Sequence, residues 1–161
     1  MHQPPFCYDN GLNIVLVEPE IPGNTGTIGR LCVGLEATLT MIEPLGFSLE
    51  DKYLRRAGLD YWPYLQWQVL PSLDALWAQV PEQERYAYFT TKSRRPYTQA
   101  NFQAGSMLVF GKETKGLPET LLTANKPRTF TIPMYGPIRS INLAVAVGVV
   151  AYEGVRRMKG F

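Results

Sequence analysis

The sequence predicts an α/β protein with a mostly parallel sheet flanked by helices. Short runs rich in apolar and β-branched residues recur at 13–17, 38–43, 67–70, 86–91, 106–110 and 128–132. Segments with helical spacing of apolar residues lie between several of them, and such alternation is the pattern of a layered parallel sheet. The chain that follows four of these runs, "VEPEIPGNTG", "FTTKSRR", "VFGKETKGLP" and "TIPMYGPIRS", holds most of the glycines and many polar residues. Ligands of open α/β sheets bind at the carboxyl ends of the strands, so these four loops are the candidate site.

The elements follow in order. "NIVLV" (13–17) reads as a buried strand. In "TGTIGRLCVGLEA", Ile28, Leu31, Cys32 and Leu35 share one helical face, with Asn24 as the expected N-cap. "TLTMIE" (38–43) is a second strand, stopped by Pro44. "LEDKYLRRAGL" (49–59) is helix-like, with Asp51 four residues before Arg55. "WQVL" (67–70) is a strand, and "SLDALWAQV" (72–80) a helix with Leu73, Leu76, Trp77 and Val80 on one face. Two strands, 86–91 and 106–110, precede a helix at 118–124 whose Pro118 suits a first turn. A strand at 128–132 leads to the last segment, from Ser140 to about Lys159. Leu143, Val145, Val147 and Val149 alternate, but the length and the terminal Arg156, Arg157 and Lys159 favour a helix.

The 161 residues fit one domain, taken as 12–161 after a loose lead-in of 1–11. Apolar residues make up 45% and charged residues 19%, a composition that excludes a disordered chain. A net charge of +2 does not by itself announce a nucleic-acid binder. Two cysteines, Cys7 and Cys32, without CxxC or Cys/His spacing, give no disulfide framework and no metal site. With no secretory pattern and no apolar run of membrane length, a cytoplasmic protein without a membrane partner is expected.

"GNTGTIG" (23–29) lacks the G-x-G-x-x-G dinucleotide pattern, and Gly29 reads as a close-packing position. Arg30 stands between Gly29 and Leu31, near the expected first turn, and reads equally as a solvated arginine or a functional one. "FGKETKGLP" is no phosphate-binding loop, because Glu113 follows Lys112 and no glycine sits five before Gly111. Glu113 reads as a ligand contact or as a carboxylate ordering nearby N–H groups. "TTKSRRPY" gathers Lys92, Arg94 and Arg95 beside Tyr97, as an RNA-binding loop or a solvated one. Lys52, Arg55, Arg56, Arg156, Arg157 and Lys159 add further cations. His2 is the only histidine and lies in the lead-in, so no Ser-His-Asp set is available. Cys32 reads as core, and the aromatic stretch 59–67 as core or subunit interface.

Three segments, "EPEIPGNTGTIGRLC", "LVFGKETKGLP" and "IPMYGPIRSINLAVAVGVVAYE", stand in the order and approximate spacing of the SPOUT-class RNA 2′-O-ribose methyltransferases. With "IEPLGF" and "DKYLRRAGLDYW", the chain resembles the small single-domain enzymes of that class that modify the wobble nucleotide, cytidine or uridine 34, of leucine tRNAs. The resemblance runs from Asn13 to about Arg157. It implies an α/β sheet with a C-terminal deep trefoil knot, S-adenosylmethionine as methyl donor, S-adenosylhomocysteine as product, tRNA as substrate and a homodimer with the site near the subunit interface.

Carried onto this sequence, the motifs place Arg30, Ser140 and Asn142 at catalytic positions. Phe89, Thr90, Thr91, Gly111, Glu113, Gly116, Ile132, Met134, Ser140 and Leu143 fall at cofactor positions, with much of the contact through backbone. Lys92, Arg94 and Arg139 are the candidates for tRNA contact. Gly23 and Thr27 stand where close relatives often have proline and asparagine. Action on another tRNA position or on ribosomal RNA, and an inactive RNA-binding relative, are the competing readings.

Overall fold

The computed structural model describes residues 6–52, 54, 56 and 60–161. Six strands form one sheet: β1 (Asn13–Val17), β2 (Thr38–Ile42), β3 (Trp67–Leu70), β4 (Tyr86–Phe89), β5 (Met107–Phe110) and β6 (Thr129–Phe130). Their order is β3-β2-β1-β5-β4-β6 and every pairing is parallel. Val15 at the centre of β1 faces Thr40 of β2 on one side and Val109 of β5 on the other. All six expected strands are present, though β6 stops at Phe130 rather than 132. There the chain leaves the sheet: Thr131 N–H donates to the Arg95 carbonyl (2.8 Å) and Thr131 bridges Pro96.

Helices cover both faces of the sheet. On one side lie α1 (Pro22–Leu35) and α4 (Leu143–Lys159), burying Ile28 and Cys32 with Val147, Val150, Ala151 and Val155. On the other lie α2 (Leu73–Gln79) and α3 (Glu119–Ala124), burying Leu76, Leu121 and Leu122. Alternate β1 residues serve the two cores, Ile14 and Leu16 facing α1 and α4, Val15 and Val17 facing the other pair. This two-sided burial explains why the strands read as continuous apolar runs. Ser72 caps α2 by accepting from Ala75 N–H (3.2 Å).

Two helix starts differ from expectation. α1 begins at Pro22 with Ile21 at the cap position, so Asn24 sits inside the first turn and Arg30 near mid-helix. Proline presets the first-turn backbone and brings no N–H that needs a partner. α4 is capped by Asn142, not Ser140, because the Asn142 carboxamide oxygen accepts from Ala144 N–H (2.8 Å) and Val145 N–H (3.3 Å). In the stretch 49–59, Lys52, Leu54 and Arg56 are helical. Arg55, and with it the expected Asp51–Arg55 pair, lies outside the described residues, as do Leu59 and His2.

Residues 6–11 were expected to be loose, yet they are tied to the sheet. Asp9 pairs with Arg85 (3.0 Å), the Tyr8 hydroxyl donates to Gln79 (2.6 Å), and Asn13 Nδ2 donates to the Tyr8 carbonyl (2.8 Å). Cys32 is fully buried, and burial pushes its thiol pKa up, so it is core rather than nucleophile. Gly29 is the close-approach point expected from its motif, since a Cβ there would lie 3.1 Å from the Trp62 ring.

Candidate active site

The site is built where the sheet reverses direction. β2 and β3 extend from one edge of β1, while β5, β4 and β6 extend from the other. The loops after β1 and β5 therefore meet at a topological switch point, the usual ligand crevice of such sheets. Two carboxylates lock them together. Glu113 accepts from Glu20 N–H (3.0 Å) and Ile21 N–H (2.5 Å), just ahead of α1. Glu20 in return accepts from the Thr114 N–H (3.0 Å) and hydroxyl (2.7 Å). These two bonds, helped by Lys112 and Lys115, hold the Glu20 carboxyl below the usual carboxylate pKa. Lys112 also reaches Glu18 across the same gap (3.6 Å).

The β5 loop is folded back on itself. Gly116 N–H donates to the Lys112 carbonyl (2.9 Å), and Gly116 has a positive φ of 67°. A Cβ on Gly111 would lie 2.1 Å from the Gly116 carbonyl carbon, so only glycine closes this turn.

The segment 131–142 runs from β6 to α4. Among the described residues, no backbone N–H or C=O of residues 132–141 pairs with another backbone group. Ile132 and Leu143 are half-buried against the core at its two ends, Met134 is half-buried, and Ser140 and Arg139 are exposed. At the exit of this segment, Asn142 Nδ2 donates to Asn24 Oδ1 of α1 (3.0 Å). Half-buried apolar walls beside free backbone donors and acceptors suit a small ligand with an apolar body and polar edges. The buried Phe89 and the half-buried Thr90, whose N–H donates to the Phe130 carbonyl (2.9 Å), end the adjacent β4.

A family model described as the SpoU rRNA Methylase family matches residues 11–152. The chain belongs to the SpoU rRNA Methylase family. The tRNA (cytidine(34)-2'-O)-methyltransferase of Burkholderia pseudomallei (strain 1106a) is 44% identical over 147 residues, 90% of this chain and 94% of that protein. A solved structure described as giving structural insights into the 2-OH methylation of C/U34 on tRNA is 43% identical, with a TM-score of 0.88 over 93% of this chain and 97% of that one. The crystal structure of the SpoU methyltransferase AviRb from Streptomyces viridochromogenes, in complex with the cofactor AdoMet, is 25% identical with a TM-score of 0.82. It covers 95% of this chain and 59% of that one. This chain is a methyltransferase of the SpoU family on an all-parallel six-stranded sheet flanked by helices.

Within this SpoU domain the residues present fit S-adenosylmethionine. The residues expected at cofactor positions converge on the carboxyl ends of three neighbouring strands: Phe89 to Thr91 at the end of β4, Gly111 to Gly116 after β5, and Ile132 to Leu143 after β6. Of the expected catalytic trio, Asn142 is hydrogen-bonded to Asn24 in the first turn of α1, the helix that carries Arg30. Among the described residues no hydrogen bond joins Arg30 to Ser140 or Asn142; its guanidinium lies 4.1 Å from the centre of the Tyr61 ring. Of the three expected RNA contacts, Lys92 and Arg94 line one cleft and Arg139 does not.

Sequence reasoning missed Glu20, Thr114 and Tyr61, and gave Asn24 a capping role it does not have. The signal for Glu20 was its place in "EPEIP", directly after a strand at the switch point. Among the described residues no three His, Cys, Asp or Glu side chains converge as metal ligands, and no helix is long and apolar enough to cross a membrane.

Proposed function

We propose that this enzyme transfers a methyl group from S-adenosylmethionine to the ribose 2′-oxygen of the wobble nucleotide, cytidine or uridine 34, of tRNA, with leucine isoacceptors as substrates. The observation that carries the chemistry is the unpaired backbone of 132–141, which runs from the end of β6 to the Asn24–Asn142 pair. The substrate rests on likeness along nearly the whole of both chains to the C/U34 structure.

The cofactor supplies a methyl group activated by a sulfonium. Bound by these residues, it would exchange its carbon–sulfur bond for a carbon–oxygen bond, with the 2′-hydroxyl proton passing to solvent. Alignment of the oxygen is the first task of the protein and supplies much of the acceleration. A guanidinium keeps its proton in proteins. Arg30 is therefore the electrostatic partner of the developing alkoxide or of a neighbouring phosphate, not the base. Tyr61 holds that guanidinium by its ring face. Ser140 and Asn142 orient the ribose or the methionine end of the cofactor. Glu113, through Glu20 and Ile21, sets α1 against the β5 loop.

The same reading includes the C-terminal trefoil knot, a cytoplasmic location and a homodimer. Support for the homodimer comes from α4, whose outward Val145 and Tyr152 are each 53% exposed and lie seven residues apart, on one helical face. The run from Ile141 to Ala151 is thus apolar on two sides, and one protomer covers only one of them.

The deciding experiment is tritiated methyl transfer to total tRNA, followed by nucleoside mapping. Label in 2′-O-methylcytidine or 2′-O-methyluridine at position 34 is expected. Label confined to another position or to ribosomal RNA, or no transfer despite S-adenosylmethionine binding, overturns the reading.

A further inference from the structure

A cleft of about 740 Å³ opens beside the carboxyl end of β4. One wall is the loop after β4, with Lys92, Arg94 and Arg95; the other is α3 and the turn after it, with Glu119, Thr123 and Lys126. It carries four cations against one carboxylate, more positive charge than the +2 of the whole chain. The charge is therefore concentrated here, as in an electrostatic footprint for a polyanion. Thr90, at the end of β4, lines the cleft and also stands at a position expected to touch the cofactor. A ligand lying along the cleft would thus run toward the reacting centre.

The four cations are held differently. Arg95 is fixed, donating to the Pro127 carbonyl and lying over the Phe130 ring. Arg94 and Lys126 are exposed and meet no carboxylate among the described residues. Lys92 spans the cleft to Glu119 (2.5 Å), and both side chains are more than half exposed. An ion pair that open to water contributes little stability, so a stronger anion displaces it at small cost. No aromatic side chain lines the cleft, so it offers no platform on which bases could stack. What it presents is charge, which reads a phosphate backbone and not a sequence.

We infer that this cleft seats the phosphodiester backbone of the RNA substrate away from the methylated nucleotide. Lys126 and Arg94 act as free phosphate contacts, and Glu119 acts as a built-in competitor that holds Lys92 until RNA displaces it. The inference rests on the tRNA reading above and extends it to residues outside the catalytic motifs.

The test is tRNA affinity across a salt series for the full-length wild type, Lys126→Ala and Glu119→Gln, with methyl transfer by the wild type measured alongside. Each phosphate contact contributes about 0.7 to 0.9 to the slope of log affinity against log salt. Lys126→Ala is expected to flatten the slope by about that amount and weaken binding. Glu119→Gln is expected to tighten binding and steepen the slope, a gain that misfolding does not produce. An unchanged slope in Lys126→Ala, or no gain in Glu119→Gln, overturns the cleft assignment even if the wild type methylates tRNA. No methyl transfer to tRNA by the wild type overturns the substrate reading itself.

Discussion

Asn142 and Asn24, separated by 118 positions in the chain, are joined by a 3.0 Å hydrogen bond from one carboxamide to the other. The Asn142 oxygen is committed to the backbone N–H groups of Ala144 and Val145, which turns its nitrogen toward α1. One side chain thus starts α4 and ties it to the helix that carries Arg30.

Capping and linking are separable by mutation. Asn142→Ala is expected to lose about 1 kcal/mol of stability along with most methyl transfer. Asn142→Ser keeps a good cap but is too short to reach Asn24, so denaturant melts should resemble wild type while single-turnover transfer falls. Asn24→Ala should behave the same way. Full single-turnover activity in Asn142→Ser would remove Asn142 from the catalytic set.

Arg30 should tolerate neither loss nor exchange. Arg30→Ala and Arg30→Lys are each expected to lower turnover on the order of 10²-fold, with no recovery as pH is raised. Tyr61→Ala, which frees the guanidinium, should cost about two- to fivefold, and Tyr61→Phe, which keeps the ring, close to nothing. Near wild-type turnover in Arg30→Lys would show that a planar guanidinium is not required.

The β5 turn gives a graded pair of variants. In Gly111→Ala the new methyl meets backbone at 2.1 Å, so the loop must open. A loss at or above the ~3 kcal/mol upper end for overpacking is expected, together with loss of S-adenosylmethionine binding. Gly116→Ala meets no atom within 4 Å and bears only the cost of its positive φ, about 1–2 kcal/mol. Thermal melts with a cofactor titration would rank the two, and equal effects would contradict the geometry.

The Glu20 contact has a pH signature. Its carboxyl pKa is lower folded than unfolded, first through the Thr114 hydrogen bonds. Its contribution to stability is therefore complete above the ordinary carboxylate pKa, near 4.5, and fades as pH falls through the depressed folded value. Urea melts from pH 7 to pH 3 should show a shallower acid decline in Glu20→Gln than in wild type. Parallel declines would mean that the Glu20–Thr114 bonds do not survive in solution.

Self-association should depend on the outer face of α4. Val145→Glu and Tyr152→Glu are each expected to halve the mass seen by light scattering while leaving the far-ultraviolet circular dichroism helical. A wild type that runs as a monomer would refute the homodimer outright.

The strands were legible because a parallel sheet buried on both faces demands unbroken apolar runs, and "NIVLV" and "MLVF" have no other use for them. The helix starts were less legible. Local sequence favoured Asn24 as a cap and a last helix from Ser140, whereas α1 starts at Pro22 and α4 after the Asn142 cap. Glu113 takes the N–H groups of Glu20 and Ile21 from more than 90 residues away, and Asn142 outcompetes Ser140 by reaching two backbone N–H groups. The lead-in looked loose because a short stretch with little periodicity reveals nothing of its anchors, Gln79 and Arg85.

By itself, then, the sequence determined the strand set, the α/β class, the candidate site loops and the family motifs within them. Only the tertiary structure decided the strand order that brings the β1 and β5 loops together, the exchange of carboxylates between them, and the gathering of Lys92, Arg94, Arg95 and Lys126 into one cleft. The physical reason is range. Periodicity and propensity act over a few residues, whereas these contacts join residues up to 94 positions apart, and no local pattern encodes which of them will meet.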